Sequence, residues 1–228
     1  MPYLIIIIIL IALLYAPQFW AQYTFKRYAK ERDNIPGSGG ELARHLLDRF
    51  DMPHVKVERG NPGEDHYDPA TKTVRLGPNN FDHHSLTAIA VSAHEVGHAI
   101  QNHNNETLLG LRGRLLEIAN RFQKLGSVAI LVMPLVAVLS HSPVIGGLFL
   151  FVGLASMFMT TLVHFITLPV ELDASFGKAL PILLKGEYVT EKDEAAIRKI
   201  LKAAAWTYVA ASLSSLLNVW RWLRVLRR

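Results

Sequence analysis

The sequence predicts a mostly α-helical membrane protein, with transmembrane helices arranged around a small α+β region. Three observations carry this reading. Half of the 228 residues are hydrophobic, and they concentrate in 1–25, 126–168 and 203–220. The intervening stretch, 26–121, has the mixed composition of a folded, water-facing domain. Basic residues gather beside the apolar runs: Lys26, Arg27, Lys30 and Arg32 after the first, Arg112, Arg114, Arg121 and Lys124 before the second, and Arg221, Arg224, Arg227 and Arg228 after the last. That is the placement of membrane-flanking charge. It accounts for the net charge of +5 without nucleic acid, for which the aromatic–basic interleaving is missing. The expected surroundings are a lipid bilayer.

Taken in order, residues 1–25 contain no charged residue and include the run Ile5 to Ile9. A span needs about 20 apolar residues. A cleavable signal peptide carries positive charge before its apolar stretch. Here the positive charge comes after it, so the segment reads as an uncleaved anchor with residue 26 onward in the cytoplasm. The region 26–125 follows. Ser38 and Glu41 have capping-box spacing, and Leu42, Leu46, Leu47 and Phe50 recur at helical intervals, predicting a helix over about 39–51. Val55 and Val57 alternate with polar residues, as do Thr71 to Leu76, which predicts a small antiparallel sheet around a turn-rich stretch. The strand at Thr71–Leu76 is a candidate to offer its edge to an extended peptide. A second helix is expected from Asp82 or Ser85 to about His103, and a basic one over 106–124. Residues 126–168 read as a transmembrane hairpin split at Ser140-His141-Ser142-Pro143. The segment 169–202 contains Glu171 and Asp173 and a helix over 191–202. Residues 203–228 read as a C-terminal apolar helix, either a fourth span or a helix at the interface, with a basic tail.

No cysteine is present, so disulfides, a cysteine zinc site and a cysteine nucleophile are all excluded. Any metal must be held by histidine and carboxylate. His94 and His98 are four apart on a predicted helix, which places both imidazoles on one face, one turn apart. That spacing suits zinc, with Zn–N distances of about 2.0–2.1 Å. Glu95, beside the first histidine, stands where a general base would take a proton from a metal-activated water. The motif makes the expected fold of the catalytic region zincin-like. Gly97 is a poor helix former between the histidines, where a Cβ would crowd a substrate. A third histidine six positions on would fall at Asn104, which is no such ligand, so a downstream carboxylate is needed: Glu171 or Asp173. His164, seven residues before Glu171, is a weaker candidate to face the site. His83, His84 and His103 read as solvated.

The segment Ser92-Ala93-His94-Glu95-Val96-Gly97-His98-Ala99-Ile100-Gln101, with Asp65-His66-Tyr67-Asp68 upstream and Leu168-Pro169-Val170-Glu171-Leu172-Asp173-Ala174-Ser175 downstream, resembles the bacterial neutral zinc metallopeptidases of the YugP type. The likeness spans nearly the whole chain. More distantly, the layout resembles the HtpX and CAAX-processing membrane zinc proteases. There a downstream Glu completes the site, often with an Asp four residues later. Here that later position is Ser175. The resemblance implies a membrane zinc peptidase, an endopeptidase of the bacterial inner membrane. It implies one Zn2+ per chain on His94, His98 and Glu171, with Asp173 left to orient a ligand histidine. The expected partner is a peptide or protein substrate, membrane proteins included. A zinc-binding scaffold without proteolysis and a metal transporter are the competing readings. Glu95 argues against the first. The position of the histidines outside the apolar segments argues against the second.

Overall fold

The structure, a computed structural model, describes residues 2–140 and 143–207. A long helix, α1 (Pro2–Tyr28), leads into α2 (Gly39–Arg49). Helix α2 starts at the expected box: Ser38 N donates to Glu41 Oε2 at 2.8 Å, and Glu41 N donates to Ser38 Oγ at 3.3 Å. Two otherwise unpaired helix-end donors are thereby satisfied. Its inner face buries Leu42, Ala43, Leu46 and Leu47.

Three short strands follow, β1 (Lys56–Arg59), β2 (His66–Asp68) and β3 (Thr73–Leu76), in the spatial order β1-β3-β2. The expectation of an antiparallel sheet built from the first and last of these is corrected. β1 runs parallel to β3, from Lys56 opposite Thr73 to Arg59 opposite Leu76, and β2 is the antiparallel partner. The strand hidden from the sequence reading is β2. It has only three residues, of which Tyr67 alone is buried, so it shows no alternation. Its turn is closed by Asp68, whose carboxylate accepts from Ala70 N at 2.9 Å and Thr71 Oγ1 at 2.7 Å. Because β3 is paired on both sides, it has no edge to offer a peptide.

A single-turn helix, α3 (Pro78–Phe81), precedes α4 (Leu86–His103). Ser85 caps α4, its hydroxyl accepting from Ala88 N at 3.1 Å. Every residue from Leu86 to Gln101 is buried, so α4 is the central helix of the core. It packs on α2, the sheet and the segment after α6. Helices α5 (Thr107–Ser140) and α6 (Pro143–Leu172) pack against each other. The basic helix and the first apolar stretch are thus one continuous α5. Helix α6 runs through Pro169 into a π-helical segment, Asp173–Ala179, and then α7 (Leu180–Lys185). A 3-10 turn, Glu191–Asp193, precedes a helix over 194–207 that buries Ile197, Ile200 and Leu201.

Among the described residues no helix is long and apolar enough to cross a membrane. This overturns the expected anchor at 1–25 and hairpin at 126–168. It also overturns the integral inner-membrane location with a cytoplasm-facing catalytic region. The apolar runs also share their helices with polar and charged residues. Helix α1 continues through Gln18, Gln22, Lys26 and Arg27, and α5 carries Arg112, Arg114, Glu117, Arg121 and Lys124. Helix α6 ends by delivering Glu171 into the protein interior. The C-terminal apolar helix and basic tail expected at 203–228 lie outside the described residues beyond 207, as do His141 and Ser142.

Candidate metal centre

Helix α4 supplies His94, Glu95 and His98, which are 4 %, 6 % and 5 % exposed. The two imidazoles stand edge to face, with ring centroids 4.7 Å apart. The last turn of α6 brings in Glu171, which has no exposed surface. Its Oε2 lies 3.2 Å from Nε2 of His94 and 3.2 Å from Nε2 of His98. The three ligand atoms all fall within 4.8 Å of one another, and among the described residues they form the one such group.

The donor set fits zinc. A tetrahedral ion with arms of about 2.0–2.1 Å keeps its ligand atoms about 3.3 Å apart, close to the 3.2 Å separations here. Both ring backs are engaged: Nδ1 of His94 with Ser175 Oγ at 3.0 Å, and Nδ1 of His98 with Gln101 Oε1 at 2.9 Å. Ser175 donates its own hydrogen to Leu201 O at 3.3 Å, so towards His94 it accepts. Such partners orient ligand histidines. The outer oxygen of Glu171, Oε1, is 3.2 Å from Nη1 of Arg112, reached from the first turns of α5.

The two carboxyls of the centre are pushed in opposite directions. Burial drives the Glu95 carboxyl up to about 7; neighbouring His94 opposes the rise, while the negative charges of Glu171 and Asp65 add to it. Burial also works against ionised Glu171. The hydrogen bonds and charge of His94 and His98 outweigh that, holding it well below the usual carboxylate range. One group is therefore a standing anion, and the other titrates near neutrality. That is the division expected between a ligand and a proton carrier.

His94 and Glu95 also line a cleft of about 430 Å3. Its other walls are Phe25 of α1, Pro62 and Asp65 of the β1–β2 connection, Asn79 of α3 and Ala204. Thr87 Oγ1 donates to Phe25 O at 2.9 Å and so fastens α1 to α4 at this wall.

A family model described as "Putative neutral zinc metallopeptidase" matches residues 3–227. The chain belongs to this family. It is 35 % identical over 219 residues to "Putative membrane protease YugP" of Bacillus subtilis (strain 168), an overlap covering 91 % of this chain and 90 % of that protein. No solved structure matches.

For this zinc metallopeptidase family member, the structure brings together His94, His98 and Glu171 and sets Glu95 beside them. Asp173 is not among the converging groups. Its carboxylate points away and reaches His98 only through Gln101, whose Nε2 donates to Asp173 Oδ2 at 2.8 Å and to Val170 O at 3.0 Å. Lys178 holds the same oxygen, Oδ2, at 3.0 Å and also pairs with Glu106 at 3.0 Å. His164 lies in α6, and its side chain is outside the described residues. His83 and His84 are half-buried, and His84 Nδ1 meets Ile35 O at 3.2 Å. His103 sits at the far end of α4, beside His54.

Gly97 has a different reason from the one expected. A Cβ there would stand 2.8 Å from Ala174 O, so glycine lets the π-helical segment close against α4. Three site residues had no role in the sequence reading. Gln101 follows His98 at helical i,i+3 spacing, a signal that was available. Ser175 occupies the position of the second carboxylate of the resembled proteases. For Arg112 no local pattern exists.

Proposed function

We propose that this protein is a zinc-dependent endopeptidase in which His94, His98 and Glu171 hold one zinc ion per chain and Glu95 is the general base. The observation that supports it most directly is the buried His94–His98–Glu171 group, with Glu95 beside it at the floor of a cleft. When bound, zinc supplies Lewis acidity, lowering the pKa of an attacking water to about 7 and polarising the scissile carbonyl.

The chain's own residues then do the following. The cleft holds an extended peptide segment across His94 and Glu95. Ionised Glu95 accepts one proton as the water oxygen bonds to the carbonyl carbon. It returns that proton to the amide nitrogen as the C–N bond breaks, leaving a carboxylic acid and a free amine. Burial serves this role, because a carboxyl near neutrality both accepts and releases a proton. Ser175 and Gln101 keep the two rings turned towards Glu171. The family membership supports the class of reaction.

The test compares wild type with Glu95→Gln for zinc content and for hydrolysis of an unfolded protein. The variant should keep its metal and lose turnover by about 100-fold or more, in the range of a general base. Undiminished hydrolysis would remove Glu95 from this role. Zinc bound by both proteins with no hydrolysis by either would favour the scaffold reading.

A further inference from the structure

We infer that Gln101 is the positioning residue of the metal centre: it dictates which nitrogen of His98 faces the ion, and it holds the helix turn bearing Glu171 in register with α4. The inference rests on the proposed role of His98 as a ligand.

The argument is one of hydrogen-bond direction. A glutamine amide has two N–H donors and one accepting oxygen. Around Gln101 stand a backbone carbonyl, Val170 O, and a carboxylate, Asp173 Oδ2, at 3.0 and 2.8 Å from its nitrogen. Neither of those groups can donate when the carboxylate is ionised, and Asp173 is paired with Lys178. Both amide hydrogens are thus committed, and the oxygen is left facing His98 Nδ1 at 2.9 Å. It can only accept, so Nδ1 carries a proton, and in the zinc-loaded protein Nε2 is the nitrogen left to present its lone pair to the ion. A flipped amide would set its oxygen against two acceptors. Gln101 is 1 % exposed, so water cannot repair that arrangement.

The same contacts bracket Glu171. Val170 immediately precedes it and Asp173 lies two residues beyond. One side chain of α4 thereby grips both flanks of the third ligand while orienting the second. The hydroxyl behind His94 does less. Ser175 rotates about a single bond, has one hydrogen to give and touches only one backbone group. Gln101 therefore links two ligands, where Ser175 supports one.

The test uses the full chain and two variants. Gln101→Met keeps the length of the side chain and removes the amide. The double variant Gln101→Glu with Asp173→Asn restores an acceptor for His98 and a donor–acceptor pair between positions 101 and 173, and gives up the donation to Val170 O. Zinc affinity is measured by competition with a chelator. The protonated ring nitrogen of His98 is identified by NMR on zinc-loaded protein with 15N-labelled histidine. Gln101→Met should lose about 10–100-fold in zinc affinity and show His98 protonated on a mixture of nitrogens. The double variant should recover the Nδ1–H signature and part of the affinity. Wild-type affinity and an unmixed Nδ1–H signal in Gln101→Met would overturn the inference. So would a double variant that melts normally yet stays as weak as Gln101→Met. Failure of the underlying reading looks different: His98→Ala would then keep its zinc.

Discussion

The two halves of the candidate metal centre are built in opposite ways. Helix α4 carries its share within little more than one turn, from His94 to His98, on a helix that is capped by Ser85 and buried along most of its length. The half that carries Glu171 comes from 77 residues away and is placed entirely by tertiary contact: the gap at Gly97, the grip of Gln101, the pairing with Arg112. The first half depends on helix geometry, the second on how closely two segments can approach. Loss of a ligand should therefore be abrupt in either half, whereas damage to the contacts that place the second half should be graded.

The largest effect tests whether both halves serve one ion. His98→Ala and Glu171→Ala should each reduce zinc from about one per chain to almost none, because removing one of three ligands empties such a site. Metal analysis that found zinc retained in Glu171→Ala and lost in Asp173→Ala would move the third ligand two residues on.

Next comes the buried charge on α4 in metal-free protein. The folded-state carboxyl of Glu95 titrates at about 7, against 4.5 in the unfolded chain. A raised folded value means its contribution is fully present below pH 4.5 and lost as pH rises through 7. Glu95→Gln cannot ionise, so with chelator present it should gain stability over wild type between pH 5 and pH 8. The ceiling is about 3 kcal/mol, from roughly 1.4 kcal/mol per unit. Denaturant melts at the two pH values decide it; an equal difference at both would mean that burial does not raise this carboxyl.

Gly97→Ala addresses the seam between the halves. The added methyl meets Ala174 O, and overpacking of this kind costs about 1–3 kcal/mol. Because α4 itself stays intact, zinc should still bind, more weakly. A variant with unchanged melting and unchanged affinity would show that the seam has slack.

The smallest effect is expected at its outer rim. Lys178→Ala removes pairs to Asp173 and Glu106 that are partly solvated, each worth under about 1 kcal/mol. Zinc affinity should shift by only a few-fold, and less so in high salt.

The same division explains what could be read from the sequence. Ser38 with Glu41, Ser85 ahead of α4, and the spacing of His94 and His98 are local patterns, and each predicts a local geometry that the structure contains. Strand β2 escaped because three residues around one buried Tyr67 carry no period. The parallel pairing of β1 and β3 escaped because it depends on the chain passing through β2, on the far side of β3, before β3 returns beside β1. The apolar stretches read as spans when taken segment by segment, whereas in the structure α1 and α5 join apolar turns to charged ones. Gly97, Ser175 and Arg112 owe their places to segments distant in the chain, which no spacing rule encodes. Gln101 was within reach, since it lies on the same face as His98.

The sequence distance between His94 and Glu171 has a consequence for folding. This chain has no cysteine, so no disulfide can tie distant parts of it together. An ion held jointly by positions 94 and 171 would act as that missing tie, closing a loop of 77 residues that contains all of α5. In the chain-entropy view a cross-link over such a loop disfavours the unfolded ensemble by about 4.5 kcal/mol, though only for as long as the ion stays bound. The atom proposed to drive the chemistry would then double as a removable staple, and metal supply would set how long each molecule survives as well as whether it is active.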